Sequence, residues 1–237
     1  MMAFVFNCGY DPCPHPVQMH NDFKGAYCSK TCEEAATMDR SALTLDILGN
    51  LDPDYYRVCN QFCNKVSDGL ITFHNNTNTS MAALDRGLHI KRVNVIRVGH
   101  PYASIEAYRK CIGERKQQSH LLFHGTIMQC TMDLNLREEE GPRGIPRACN
   151  HGDCRLCSIL RSGFRIGPAN AIFFSSDASY SHTYSSKTKP QTGWFGMLAC
   201  SVWDFPKNLE TTGGIHFTKT TQGCLVRYVI LYEIYIS

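Results

Sequence analysis

Leu121-Leu122-Phe123-His124-Gly125-Thr126 decides how the rest of the chain is read. Three apolar residues in a row predict a short buried strand, and it ends at a histidine followed by a glycine. With no side chain at Gly125, the backbone there stays open to a close neighbour. Downstream, Ser158–Ser162 predicts a helical turn stopped by Gly163, inside Ile159-Leu160-Arg161-Ser162-Gly163-Phe164-Arg165-Ile166-Gly167-Pro168. Ala171–Ser175 then predicts a second short strand, and Asp177–Ser186 a helix that carries Ser181 and Tyr184.

Outward from this centre, Ile90–Val98 alternates and is rich in Val and Ile, which predicts a strand. Pro101–Lys116 has helical spacing, with Ile105, Tyr108 and Ile112 on one face. Gly196–Val202, Gly214–Lys219 and Leu225–Ile236 predict three further strands. Ser41–Val66 predicts a helix broken at Gly49–Pro53, with Cys59 and Cys63 one turn apart on its packing face. The polar tract Asn75–Ser80 predicts a loop. Helices mixed with sheet-rich ends give an α+β class, and no internal repeat is visible.

At 237 residues the chain has room for one well-cored domain and a small module. The longest apolar stretches, such as Val226–Ile236, carry charges and are shorter than a membrane span of about 18 residues. The opening residues lack the basic and apolar regions of a secretory signal, so the expected home is the cytosol or nucleus, with no membrane partner. The net charge of +3 is a mild surplus without a clustered basic face, which leaves nucleic acid open as a partner but unsupported by composition.

The cysteines say more. There are 13, an odd number in a chain expected to sit in a reducing compartment, so clusters read as metal ligands rather than disulfides. Cys8 and Cys13, then Cys28 and Cys32, form two close pairs able to make a four-thiolate zinc site, with His15 and His20 as alternative ligands. The insert between the pairs is too short to fold without such a staple. Cys149, His151, Cys154 and Cys157 offer three thiolates and an imidazole, a second complete tetrahedral set. Both sets are saturated, so both are expected to be structural, for up to two zinc ions.

The stretches around His124, Gly163 and Phe173, with Ser181 and Tyr184 beyond, resemble in order and spacing the poly(ADP-ribose) polymerase (PARP) catalytic domain. The resemblance covers roughly residues 70–237. It implies a fold of two packed antiparallel sheets with flanking helices, and NAD⁺ as the substrate. It also implies roles. His124 would donate to the adenosine ribose hydroxyls, and Gly125 would offer its N–H and C=O to the nicotinamide carboxamide. Ser181 would give its hydroxyl to that carboxamide, Tyr184 would stack on the nicotinamide ring, and Thr126 and Arg165 would meet the adenosine side. The Cys149–Cys157 run resembles the small zinc site of the tankyrase branch, with tighter inner spacing.

The chain departs from the family pattern at three places. The catalytic positions are filled by His124, Phe173 and Ile215, where the family has histidine, tyrosine and glutamate. Phe173 keeps a stacking face and loses a hydroxyl. Ile215 can neither hold the nicotinamide ribose nor activate an incoming hydroxyl, so the expected reaction is transfer of a single ADP-ribose unit. The loop between Pro168 and Ala171 is short, which predicts an open pocket. A PARP-like module that binds NAD⁺ or ADP-ribose without turnover is the alternative, as is transfer to nucleic acid instead of an acceptor protein. The expected organisation is a zinc-binding module over 1–40, a helical connector over 41–69 and the ADP-ribosyltransferase domain over 70–237.

Overall fold

The computed structural model describes residues 6–7, 16–17, 43–64, 88–112, 119–136, 144–167, 169–187, 193–203, 210–212 and 215–236. Two short strands, β1 (Phe6–Asn7) and β2 (Pro16–Val17), pair with each other. Then follow β3 (Thr44–Ile47), α1 (Pro53–Asn64), β4 (Leu88–Gly99), α2 (Tyr102–Ile112), β5 (Ser119–Gly125), α3 (Arg155–Ser162), β6 (Ile172–Ser175), α4 (Ala178–Ser185), β7 (Trp194–Trp203), β8 (Glu210–Thr212), β9 (Ile215–Thr218) and β10 (Cys224–Ile236). The class is α+β, as the element pattern predicts. The Cys8, Cys13, Cys28 and Cys32 set and the Asn75–Ser80 tract lie outside the described residues.

Eight strands form one antiparallel sheet in the order β3-β4-β10-β7-β5-β6-β9-β8. This corrects the expectation of two packed antiparallel sheets, since the described strands of this region form one. Five strands and three strands are joined into one by a single cross-pair, Phe123 with Ser175, between β5 and β6. The edge of β5 that faces β6 is therefore paired only there, and the backbone at His124 and Gly125 beyond it borders a cavity rather than a neighbouring strand.

The centre of the sheet is covered on both faces, so β7 and β10 are apolar almost without interruption. Leu198, Cys200 and Val202 of β7 join Val229 and Leu231 of β10 in one core, while Met197, Ala199, Ile230 and Tyr232 point into the other. Alternate residues facing opposite cores is the period-two geometry of a strand. Exposed Arg227 sits where the register of β10 against β7 shifts between Val226 and Tyr228, a bulge that lets a charge leave an otherwise buried strand.

The segment expected as one helix from Ser41 splits into β3 and α1. Leu43–Ile47 alternates apolar and polar, and Leu45 is buried between exposed Thr44 and Asp46. Pairing with β4 wins over helix formation because it satisfies the backbone and buries Leu45 and Ile47 together. The helix starts at Pro53, whose missing N–H costs nothing in a first turn. Asp52 accepts from the Asp54 N–H at 2.8 Å just ahead of it. Cys59 packs against the core as expected, but Cys63 is exposed and does not.

Helix α1 supports the back of β5. The Gln61 side-chain amide donates to the Leu121 carbonyl at 2.6 Å, and Phe62 packs edge-on to Phe123 at 6.0 Å between ring centres. Burying one phenyl ring of this kind contributes about 1.5–3 kcal/mol. At the helix start, the Tyr228 hydroxyl donates to Asp54 at 2.7 Å, and Arg97 pairs with both Asp52 and Asp54. Among the described residues, no helix is long and apolar enough to cross a membrane.

Candidate functional site: a cavity beside a four-cysteine cluster

A cavity of about 530 Å³ opens between the end of β5, α3, β6 and α4. That volume is within the range of small-molecule sites, roughly 300–1,000 Å³. His124, Gly125, Thr126, Arg165, Phe173, Ser181 and Tyr184 all line it. Residues spread over 61 positions of sequence converge because β5, β6 and α4 meet where the two parts of the sheet join.

Each is held by its element. The first turn of α4 is capped by Asp177, which accepts from the Ser179 N–H at 2.8 Å. This sets the helix so that Ser181 and Tyr184, three apart, share its cavity face. Ser181 donates its hydroxyl proton to the Phe123 carbonyl at 3.1 Å, which leaves its oxygen as an acceptor. Gly125 is required by close packing, since an added Cβ would collide with the Ser181 carbonyl oxygen. The Thr126 N–H donates to the Ser185 hydroxyl at 3.3 Å, and that hydroxyl donates to Gly196 across on β7 at 2.9 Å.

The imidazole of His124 is clamped between Phe164, at 5.1 Å and edge-on, and Phe174, at 5.6 Å. Its Nδ1 lies 2.8 Å from the Phe173 carbonyl oxygen, which can only accept, so Nδ1 carries the proton. Burial pushes the imidazole below its ordinary range and keeps it neutral. The other nitrogen, Nε2, is then an acceptor. A ligand hydroxyl would donate to it, the reverse of the direction the resemblance implies for the same contact.

The mouth is open and aromatic. Phe173 and Tyr184 keep 43% and 38% of their surface exposed, and the Lys187 ammonium sits over the Tyr184 ring, 4.4 Å from its centre. Phe173 rests on Phe217 of β9 at 5.8 Å, and Tyr184 on Tyr180 at 5.7 Å. The Gly167 N–H reaches the Ala171 carbonyl at 3.4 Å just ahead of β6. Ile215 is not among the lining residues. It opens β9 opposite Ser175, half-buried, two positions before Phe217.

On the far side of α3 the sulfur atoms of Cys130, Cys149, Cys154 and Cys157 all lie within 4.8 Å of one another. Cys130 is 3.6 Å from Cys154 and 3.5 Å from Cys157. A tetrahedron of thiolates about 2.3 Å from a zinc ion has edges of about 3.8 Å, so the set fits that ion. Hydrogen bonds with Cys130 and Cys157 hold the Cys154 thiol well below its usual range. The fourth corner is Cys130, not His151. The His151 carbonyl accepts from the Cys154 N–H at 3.2 Å in a turn that leaves the imidazole exposed. Cys130 comes from the loop after β5, 19 positions before Cys149, too far for a spacing pattern to connect it. The signal available was compositional, a further cysteine in the loop that precedes the predicted three-thiolate set.

The cluster and the cavity share α3. Leu156, Cys157 and Leu160 are its buried side, and Arg155, Ser158 and Ile159 line the cavity. The helix ends at Gly163, in the left-handed region at φ 74°, with its N–H donating to the Ile159 carbonyl at 2.8 Å. Arg155, Ser158 and Tyr180 are lining residues that no sequence motif indicated. Compared with models of known protein families and with curated proteins, the sequence gives no match.

Proposed function

We propose that the chain is an NAD⁺-dependent ADP-ribosyltransferase that transfers one ADP-ribose unit to an acceptor and releases nicotinamide. The observation that carries this reading is convergence: all seven residues expected at an NAD⁺ site line one cavity of suitable size. The exposed rings of Phe173 and Tyr184 would take the nicotinamide between them, an aromatic contact of about 1 kcal/mol each. Ser181 and the Gly125 backbone would orient its carboxamide, and His124 would accept from a ribose hydroxyl.

In the reaction, the bond between the ribose carbon and the nicotinamide nitrogen breaks, and its electron pair leaves with neutral nicotinamide. The acceptor nucleophile forms the new bond to that carbon, and its proton passes to solvent. A cavity that fixes the carboxamide and ribose contributes by orientation, which lowers the barrier without a carboxylate. Zinc held by Cys130, Cys149, Cys154 and Cys157 would be structural, since four thiolates leave no open position. The acceptor is a protein on this reading.

Incubation of the purified protein with NAD⁺, followed by nicotinamide assay and mass spectrometry of the protein, tests it. Nicotinamide release with a single added ADP-ribose mass is expected. A second reading is favoured by the absence of any carboxylate among the described lining residues: a module that binds NAD⁺ without turnover. NAD⁺ binding with no release of nicotinamide would establish that reading instead.

A further inference from the structure

The charged groups lining the cavity are two guanidiniums, Arg155 at the start of α3 and Arg165 three residues past its end. Among the described residues no carboxylate lines the cavity, and none pairs with either guanidinium. A cavity with two positive charges on its lining and no negative one favours an anionic ligand. Arg155 and Ser158 lie three apart on α3, and both line the cavity. A planar guanidinium fork and a hydroxyl are donors that phosphate oxygens accept together.

We propose that Arg155 and Ser158 form a phosphate subsite that recognises the diphosphate of the bound dinucleotide, a deepening that rests on the NAD⁺ reading of this cavity. The backbone at the helix start does not supply it. The Leu156 N–H is spent on the Ile127 carbonyl at 3.0 Å, and the Ser158 N–H on the Cys154 carbonyl at 3.0 Å. Recognition therefore falls to the side chains. The placement of Arg155 is fixed by its neighbours, because Cys154 before it and Cys157 after it both belong to the cysteine cluster. The eight-residue helix is about 12 Å long, so Arg155 and Arg165 approach the ligand from opposite ends of one wall. The subsite thus distinguishes phosphate-bearing nucleotides from their fragments, while the aromatic mouth takes the nicotinamide ring.

Calorimetric titration of wild type, Arg155→Ala and Arg155→Lys with NAD⁺, ADP-ribose, adenosine and nicotinamide tests this, at 50 and 200 mM salt. Arg155 is exposed, and zinc content with thermal melting checks that each variant is folded. Arg155→Ala is expected to weaken ADP-ribose and NAD⁺ about tenfold or more, the loss of a charge-assisted pair. Adenosine and nicotinamide should stay within about twofold, Arg155→Lys should restore part of the loss, and the salt dependence of ADP-ribose binding should flatten in Arg155→Ala. ADP-ribose bound equally by wild type and Arg155→Ala, or all four ligands weakened alike, would overturn the subsite while leaving the NAD⁺ reading in place. Wild type that binds neither NAD⁺ nor ADP-ribose overturns both. ADP-ribose binding that depends on Arg155, without NAD⁺ binding, supports the subsite and overturns only the NAD⁺ reading.

Discussion

The Nδ1 of His124 on β5 lies 2.8 Å from the carbonyl oxygen of Phe173 on β6, across the place where the two parts of the sheet join. The bond fixes the tautomer and aims Nε2 as an acceptor. His124→Ala and Tyr184→Ala are each expected to weaken NAD⁺ binding by about 1–3 kcal/mol, the range for a buried hydrogen bond or a stacking partner. Phe173→Tyr should bind as wild type, since the ring face is unchanged and the bond to His124 uses the backbone. Unchanged NAD⁺ affinity in both alanine variants, measured by calorimetry, would place the nucleotide elsewhere.

The cysteine cluster predicts a metal content. Protein purified without chelator is expected to hold zinc at Cys130, Cys149, Cys154 and Cys157, with a second ion only if the Cys8–Cys32 set binds as well. Cys130→Ser should lose close to one zinc per chain, whereas His151→Ala should lose none, because the imidazole faces solvent. Metal analysis of these two variants separates the four-cysteine set from the one that spacing alone suggests. Chelation should also lower the melting temperature, since α3 and the loop after β5 would lose their shared anchor.

Stability should fall on acidification. His182 is buried against Tyr232, its Nδ1 2.7 Å from the Tyr232 hydroxyl, and burial pushes its imidazole down to about 4 from an ordinary 6.5. The unfolded chain takes up this proton near pH 6.5 and the folded chain only near 4. Between those values the unfolded state binds more protons, so stability is lost as pH drops through the window. A gap of that size corresponds to roughly 3 kcal/mol, and His124, also pushed down, acts in the same direction. Thermal melts between pH 7 and 4 should show a steep decline in wild type and a shallower one in His182→Gln. Equal slopes in the two proteins would assign the decline to other groups.

Transfer is expected to stop at one unit. Growth of a chain needs a hydroxyl of the attached ADP-ribose to become the next nucleophile, and a positioned carboxylate accelerates such a step by about 10²–10⁴. Ile215 supplies none, and no described residue lining the cavity does either. Products longer than one unit on a denaturing gel, made by the unaltered protein, would refute this.

Much of the layout was legible from local pattern. The strand ending at His124, the stop at Gly163, the strand at Phe173 and the helix bearing Ser181 and Tyr184 all lie where short-range rules put them. Period-two alternation, a glycine C-cap and an aspartate N-cap act within a few residues, so they can be read from the sequence alone. That same locality is why the sequence around Thr44–Ile47 predicts helix: an edge strand of four residues is decided by its partner β4, which lies more than 40 positions away.

What only the tertiary structure decided is which distant residues meet. Cys130 enters the cluster because the loop after β5 folds back over the start of α3, tied by the Leu156 N–H to the Ile127 carbonyl. Arg155 and Ser158 face the cavity because Cys154, Leu156 and Cys157 bury the opposite side of their helix. The single sheet, too, hangs on one cross-strand pair, Phe123 with Ser175. Sequence determines local conformation through sterics and hydrogen bonds of neighbours. Ligand sets and cavity walls depend on contacts made after chain reversal, where separation along the chain carries no information about distance.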